Sequence, residues 1–417
     1  MANVDFNLIA AGEIAVPACP PLAAAQRGTL DLTVSVHVDM AAVEDDWRAL
    51  EAQAPISLHQ GFDWCDAWSR HHPHQVVVVR GAIAGRTFFI LPLEIVQGRI
   101  FRIARFIGAP HSNINTGLFL TDRPPVPPET LGPAILSALA TKLGRIADIV
   151  TLEKMPFEWC GWRHPLAAMP AVRNQNASFQ LPLLGDFEAT LAQVNAKRRR
   201  KKFRVSERRL EALGGYEHVT AGTPCEAHRL LDVFFRQKAE RFKANGLPNA
   251  FQDAATRNFF HALASMPHRA GNAPLELHAI RLKGASEGAI VAVAGLSEKE
   301  GHVICQFGSI DESIAPDSSP GELLFYLMIR DKCQNGATVF DFGIGDQPYK
   351  RSWCPQETVL RDIVLPLTLK GHAAAACHRA LVRTKAAIKK NRHAYGLIQR
   401  LRRRRQGETT IGTDSED

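Results

Sequence analysis

Apolar and polar positions alternate from Leu30 to Val38 (LDLTVSVHV), which predicts a strand with one buried face. The period becomes helical over Val43–Gln53, with Trp47 and Leu50 on one side, and again around Phe62, Trp64 and Trp68. Three β-rich runs follow, Val76–Arg80, Arg86–Val96 and Arg99–Ile107. Only Gly81–Gly85 and Gln97–Gly98 separate them, so they read as hairpin neighbours. A proline cluster (Pro124, Pro125, Pro127, Pro128) precedes a helix at Glu129–Leu143 and a strand at Asp148–Glu153. A further helical piece leads into Met169–Asn176, which reads as the crossing between domains.

The same order then returns. Ser178–Leu183 predicts a strand, and Phe187–Leu213 one long helix stopped by Gly214-Gly215. Helices at Glu226–Ala244 and Ala254–Ser265 precede three strands, Leu275–Lys283, Ala289–Ser297 and His302–Phe307. Helix Pro320–Asn335, strand Thr338–Phe342 and a last strand near Val359–Leu365 complete the second half. Each half is therefore helices, a meander of hairpins, a helix and a strand. That is an α+β class, with mixed sheets flanked by helices and a suspected structural duplication. The expected divisions are a lead-in over 1–27, domains over 28–176 and 177–370, and a basic tail over 371–417, helical to about Arg405.

Composition narrows the class without naming a function. The chain has 417 residues, 46% apolar and 22% charged, which excludes a disordered chain, a collagen-like repeat and a small disulfide scaffold. A chain of this length buries a sizeable core without staples. The net charge is +8, of which +7 falls between His372 and Asp417, so the body is nearly neutral. No run approaches the ~18–20 apolar residues of a membrane span. The apolar lead-in carries Asp5 and Glu13 and no basic start, which argues against a secretory signal. Eight scattered cysteines without a CxxC pair read as reduced thiols. The expectation is a cytoplasmic protein, with the tail as a candidate contact to RNA or to a membrane surface.

Four segments carry candidate chemistry. In Ser318–Leu324, Ser319 and Glu322 fit a capping box and Pro320 falls at the first helical position. A helix start of this kind is a possible phosphate or carboxylate site, with Gly321 allowing close approach; a well-capped helix is the plainer alternative. In Phe340–Lys350 a strand runs into two glycines, two acids and the pair Tyr349-Lys350. Lys350 is the candidate oxyanion partner, and Asp341 or Asp346 the candidate base, against the alternative of a turn with solvated charges. Gly343-x-Gly345 leads to Pro348 with no helix expected there, so a dinucleotide fingerprint fails.

The third segment, Lys197–Arg209, holds nine basic residues and one acid, Glu207, with Phe203, Leu210 and Leu213 inward and most charges outward. It would attract RNA, lipid head groups or an anionic substrate, with Arg199 and Lys202 as candidate contacts. The fourth, Gln237–Gly246, ends a helix with Arg241 and Lys243, able to grip an acidic group or to serve as plain surface charge. His71, His72 and His74 read as loop, because no further ligand set completes a metal site. Motifs of the forms HExxH and GxxxxGK[ST], and an EF-hand loop, do not occur.

The succession RRLEALGG, RFKANG, SPGELL and DFGIGDQPYKRSW, after DDWRALEAQAP, FDWCDAW and FFILPLEI, resembles the CelD/BcsL group of Gcn5-related N-acetyltransferase (GNAT) proteins, the BioF2-like acetyltransferases. The likeness runs from about Leu30 to Leu365. It implies two GNAT-like acyl-CoA N-acyltransferase domains in tandem, as in the related FemAB-type aminoacyl transferases. In that fold the donor lies between splayed strands, with its pyrophosphate on a helix N-terminus. The matching element here is Ser319, Pro320, Gly321, Glu322 and Leu323. The usual Gln/Arg-x-x-Gly-x-Gly/Ala loop is replaced by Asp317-Ser-Ser-Pro-Gly-Glu. A late catalytic lysine in FemAB-like relatives corresponds in region to Lys350.

The expected function is thus acyl transfer from acetyl-CoA or another acyl-CoA, a co-substrate rather than a tightly held cofactor. The acceptor would be an amine or hydroxyl on a small molecule or a sugar, in a group associated with exopolysaccharide synthesis. The alternatives are aminoacyl transfer from charged tRNA and a non-catalytic assembly module at the membrane surface.

Overall fold

The alternating run at the start forms strand β1 (Leu32–His37) of a mixed sheet in a computed structural model. The structure describes residues 31–390 apart from 99, 122–126, 269–271 and 312. The lead-in, Pro124, Pro125 and the tail run Arg402–Arg405 lie outside the described residues. β1 pairs antiparallel with β2 (Gln75–Ile83), β2 with β3 (Arg86–Gln97), and β3 with β4 (Arg102–Phe106), the hairpin order expected from the short glycine gaps. Helices α1 (Glu44–Glu51) and α2 (Phe62–His71) fill the β1–β2 connection and bury Trp47, Trp64 and Trp68. Strand β5 (Ile149–Pro156) then lies parallel to β4. A parallel neighbour cannot be reached by a tight turn, and α3 (Pro128–Leu143) supplies the crossover.

The second half repeats this plan. It runs β6 (Ser178–Pro182), α4 (Phe187–Ala192), α5 (Ala196–Glu211), β7 (Tyr216–Thr220), α6 (Pro224–Ala244), α7 (Ala254–Ser265), β8 (Asn272–Leu282), β9 (Ile290–Lys299) and β10 (His302–Ile310). Then come α8 (Pro320–Gln334), β11 (Val339–Ile344), α9 (Pro348–Trp353), β12 (Leu360–Pro366) and α10 (Leu369–Lys390). Strands β7 to β10 are antiparallel neighbours, and β11 joins β10 in parallel over the crossover helix α8.

Each sheet is extended by two further antiparallel strands, the outermost being the short Val172–Arg173 in the first and Gln356–Thr358 in the second, and here the two halves are interlocked. The strand beside β5 is β12, from the end of the described fold, while the strand beside β11 is β6, which directly follows the first half. A division into 28–176 and 177–370 therefore cuts the first sheet, because Leu360–Pro366 belongs to it, while the strands of the second sheet all fall within 177–370. The apolar core crosses the same boundary. Phe259 of α7 packs edge-on against Trp64 and Trp68 of α2, with ring centroids 5.1 and 5.0 Å apart. Burying each such ring removes enough apolar area to stabilise the pair by a few kcal/mol, ~1.5–3 per side chain.

Four local expectations are corrected. The run Phe187–Leu213 is two helices, because the Asn195 side chain accepts the Arg198 amide and starts α5 afresh. Leu213, expected inward, is 43% exposed past the helix end. The helical piece before Met169 is a small hairpin, Glu158–Trp159 with Trp162–Arg163, turning through Cys160 and Gly161 at positive φ. A short helix, α9, does open at Pro348. The strand β7 carried too few apolar residues to be read from the sequence.

Candidate functional site

Strands β10 and β11 stay parallel for three residue pairs, His302↔Val339, Val303↔Phe340 and Ile304↔Asp341, and then part. β11 bends toward β6, where Ser178 and Gln180 of β6 sit opposite Ile344 and Asp341 across a register shift. The parting strands enclose a wedge-shaped cavity of about 440 Å³. Cys305 to Ile310 form one wall, Phe342 and Ile344 the other, and the start of α8 closes one end. Its volume falls in the range of small-molecule sites, ~300–1,000 Å³.

Lys350 lines this cavity from α9 and is almost fully buried. Its Nζ donates to Ile344 O at 2.7 Å and to Gly343 O at 3.2 Å, bonds made available because Gly343, at φ +69°, turns its carbonyl inward. Burial lowers its pKa, with the nearby Cys305 and Asp341 opposing that fall. Tyr349 lines the wedge next to it and stacks on Phe325 at 5.5 Å. Burial raises the Tyr349 pKa, so its hydroxyl stays protonated and able to donate. Cys305 is pushed up to about 11 by burial and is a neutral thiol.

The two acids expected as bases do not reach the cavity. Asp341 is wholly buried, and its oxygens accept from Ser178 Oγ at 2.7 Å, Gln180 Nε2 at 2.8 Å and the Gly343 amide at 2.7 Å. Burial would raise its pKa, but His302, 3.4 Å away, and these donors outweigh it and hold it low. This carboxylate shapes the turn that presents Lys350. Asp346 is exposed and paired with Arg351.

Of the five residues at the start of α8, Ser319, Gly321 and Glu322 line the cavity, whereas Pro320 and Leu323 are buried in packing. The capping box does not form. Ser319 sits at φ 51° without a side-chain cap bond, and the Glu322 carboxylate is drawn away. It accepts from Arg199 Nη1 at 2.7 Å, Lys202 Nζ at 2.8 Å and Trp353 Nε1 at 3.2 Å. Arg199, expected on the solvent side, is 1% exposed and lies 4.5 Å over the Trp353 ring. Arg199 and Lys202 therefore brace α8 on α5 and do not line the cavity. Lys243 is exposed and does not line it either, while Arg241 does.

Coenzyme A fits this helix start only in part. Pro320 has no N–H, and the amides of Glu322 and Leu323 already bond Ser319 O at 3.0 and 3.3 Å, leaving the Gly321 amide for an anion. Glycine at 321 also has a packing reason, since a Cβ there would come within 2.9 Å of Ile310 Cγ2.

Several residues at the wedge were not singled out in the sequence. Lys238 precedes Arg241 by three positions and shares its helix face, a spacing that would have found it. Gln306 lines the wedge and accepts from Asn113 Nδ2 at 3.3 Å, and its Oε1 lies 3.1 Å from His59 Nε2. Asn113 and His59 belong to the first half, so that half supplies part of the site; no local signal marks such a contact.

Residues 197–351, which include β10, α8 and β11 around the wedge, match the acetyltransferase (GNAT) domain family. Among solved structures, FemX superposes with a TM-score of 0.55 at 13% identity, covering 82% of this chain and 98% of its own. The C-terminal domain of a putative lysylphosphatidylglycerol synthetase from Agrobacterium fabrum gives 0.48 at 12% identity, covering 81% and 95%. A tandem GNAT protein from the clavulanic acid biosynthesis pathway gives 0.46 at 13% identity, covering 81% and 99%. No curated protein sequence matches the chain. The mixed α/β architecture with GNAT-like domains agrees with the expected fold; likeness at these identities speaks to fold and not to reaction.

Proposed function

We propose that this protein is an acyltransferase working at the wedge between β10 and β11, with an acyl-CoA-type donor and an amine or hydroxyl acceptor. The observation that carries the reading is the open gap between β10 and β11 with the Lys350 ammonium buried in its wall. The acceptor atom attacks the donor's thioester carbonyl, the C–S bond breaks, and the acceptor's proton is released to water. Lys350 stabilises the carbonyl oxygen as it gains negative charge. Tyr349 gives its proton to the departing thiolate and recovers one from solvent. Among the described residues Glu322 is the one carboxylate on the cavity wall, and two cations hold it, so the attacking amine or hydroxyl enters already uncharged and alignment does most of the work.

The narrower likeness to the CelD/BcsL group belongs to the same proposal. With it come a sugar or exopolysaccharide-precursor acceptor and a cytoplasmic, membrane-peripheral location; the support is the SPGELL and DFGIGDQPYKRSW segments. Calorimetric titration of the full chain with acetyl-CoA and with CoA tests the donor. Micromolar binding followed by acetyl transfer to an amine panel is the expected result. No binding at millimolar ligand would overturn it in favour of a charged-tRNA donor. The observation favouring that second reading is the exposed basic face of α5, with Lys197, Arg198, Lys201, Arg204 and Arg208. It would show itself as RNA binding that weakens steeply with salt.

A further inference from the structure

The cations around the wedge are unequally matched. Lys350 has the buried Asp341 as a nearby opposite charge, and Glu322 is held by Arg199 and Lys202. Lys238 and Arg241 of α6 have no such partner: among the described residues neither lies within ion-pair distance of a carboxylate. The Lys238 ammonium is half-buried, donates to Gly308 O at 3.1 Å, and lies 6.0 and 5.5 Å from the Phe234 and Phe242 rings. Arg241 stands one helical turn further on, at the junction of the wedge with an outer groove bordered by Gln237, the exposed Glu240, Ile310 and Asp311. Asp311 turns its Oδ1 to Ser313, at 2.9 Å from the amide and 2.6 Å from Oγ. Two like charges on one helix face repel. Burial together with Arg241 and Lys350 lowers the Lys238 pKa, as expected for a cation among cations.

We infer that the acceptor carries a carboxylate or phosphate group that seats between Lys238 and Arg241. An anion there would replace the missing partner of both side chains and fix the acceptor's orientation by charge-assisted hydrogen bonds. The same cations disfavour a protonated amine, so an acceptor held by its anionic group would present its amine as the free base. The assignment to the acceptor rests on the acyl-transfer reading, since the donor's phosphates are expected at the start of α8. The anion seat itself stands on the cavity and its two unpaired cations.

The test is calorimetric titration of inorganic phosphate into the full chain, at matched ionic strength, with and without saturating CoA. Phosphate should bind in the millimolar range and lose at least about tenfold in affinity in Lys238→Met/Arg241→Gln, while Lys238→Arg retains it. Arg241 is exposed, so Arg241→Gln alone keeps the fold and should lose several-fold. Saturating CoA should leave phosphate affinity unchanged. Affinity that is the same in the wild type and the double variant would overturn the seat. Displacement of phosphate by CoA would assign the anion to the donor and overturn the acceptor assignment. Phosphate binding by these two residues without any CoA binding would uphold the seat and remove the acyl-CoA reading.

Discussion

The two sheets present the same wedge and treat it in opposite ways. In the first, β4 and β5 are parallel at Ile103↔Ile149, Ala104↔Val150 and Arg105↔Thr151, and then part, as β10 and β11 do. The gap that follows is filled by the chain itself. Residues 107–116 fold back so that the Asn115 amide bonds Lys154 O at 3.0 Å, and Asn115 Nδ2 bonds Glu153 O at 2.9 Å. Lys154 Nζ then donates to Ala109 O at 2.6 Å and Ser112 O at 2.7 Å. In the second sheet the chain passes from β10 to α8 through the shorter connection 311–319, and the gap stays open. Each wedge thus holds a lysine on two backbone carbonyls, but one lysine pins a plug and the other faces a cavity. Asn113, in the plug, also lines the second cavity, so closing one wedge helped to build the other.

The contrast can be broken most directly by closing the open wedge. Ala294→Phe projects a ring into the cavity and should weaken donor binding about 100-fold, read by calorimetry, while overpacking costs ~1–3 kcal/mol of stability. Next, Lys350→Met should lower kcat by about 100-fold and change donor affinity by less than about threefold. Equal losses in both would reassign Lys350 to binding.

The filled wedge should respond in stability and not in turnover. Lys154→Met leaves the Ala109 and Ser112 carbonyls without their donor and should cost ~1–3 kcal/mol by urea unfolding, with kcat unchanged. Acid should act on the same region. Burial lowers His59, His111 and His164 of the first half each to about 4, along with His218 of the second. Unfolded histidine takes up its proton near 6.5, so between pH 6.5 and 4 the unfolded chain binds more protons and stability falls as pH falls. The urea midpoint should drop through that window, with exchange protection lost first around residues 107–116. The smallest effect belongs to Lys243→Ala, which should leave donor and phosphate affinity within about twofold, because Lys243 is solvent-exposed and absent from the cavity wall.

Much of the fold was legible along the chain. The hairpins at Gly81–Gly85 and Gln97–Gly98, the proline-marked start of α3 and the glycine stop after Leu213 are local signals, and the elements stand where those signals put them. The duplication was legible as a repeated order of elements. The candidate site was legible in outline only. Lys350, Tyr349, Ser319, Gly321, Glu322 and Arg241 do meet at one cavity. Asp341, Arg199 and Lys202 carried the right chemistry for the expected roles, but folding spent it on partners far away in sequence: Asp341 on Ser178 and Gln180, the two cations on Glu322.

What the sequence by itself determined is the set of elements and their order, because periodicity, caps and turn residues act over a few positions. It also determined the supply of buried charge, since Lys154, Lys350 and Asp341 each lie in or beside an apolar strand. Only the tertiary structure decided that β12 completes the first sheet and β6 the second, because strand pairing is chosen by long-range packing and not by local pattern. It likewise decided which lysine faces a cavity. A buried ammonium takes whatever oxygen or open space the packed neighbours leave around it, and those neighbours are assembled from both halves of the chain.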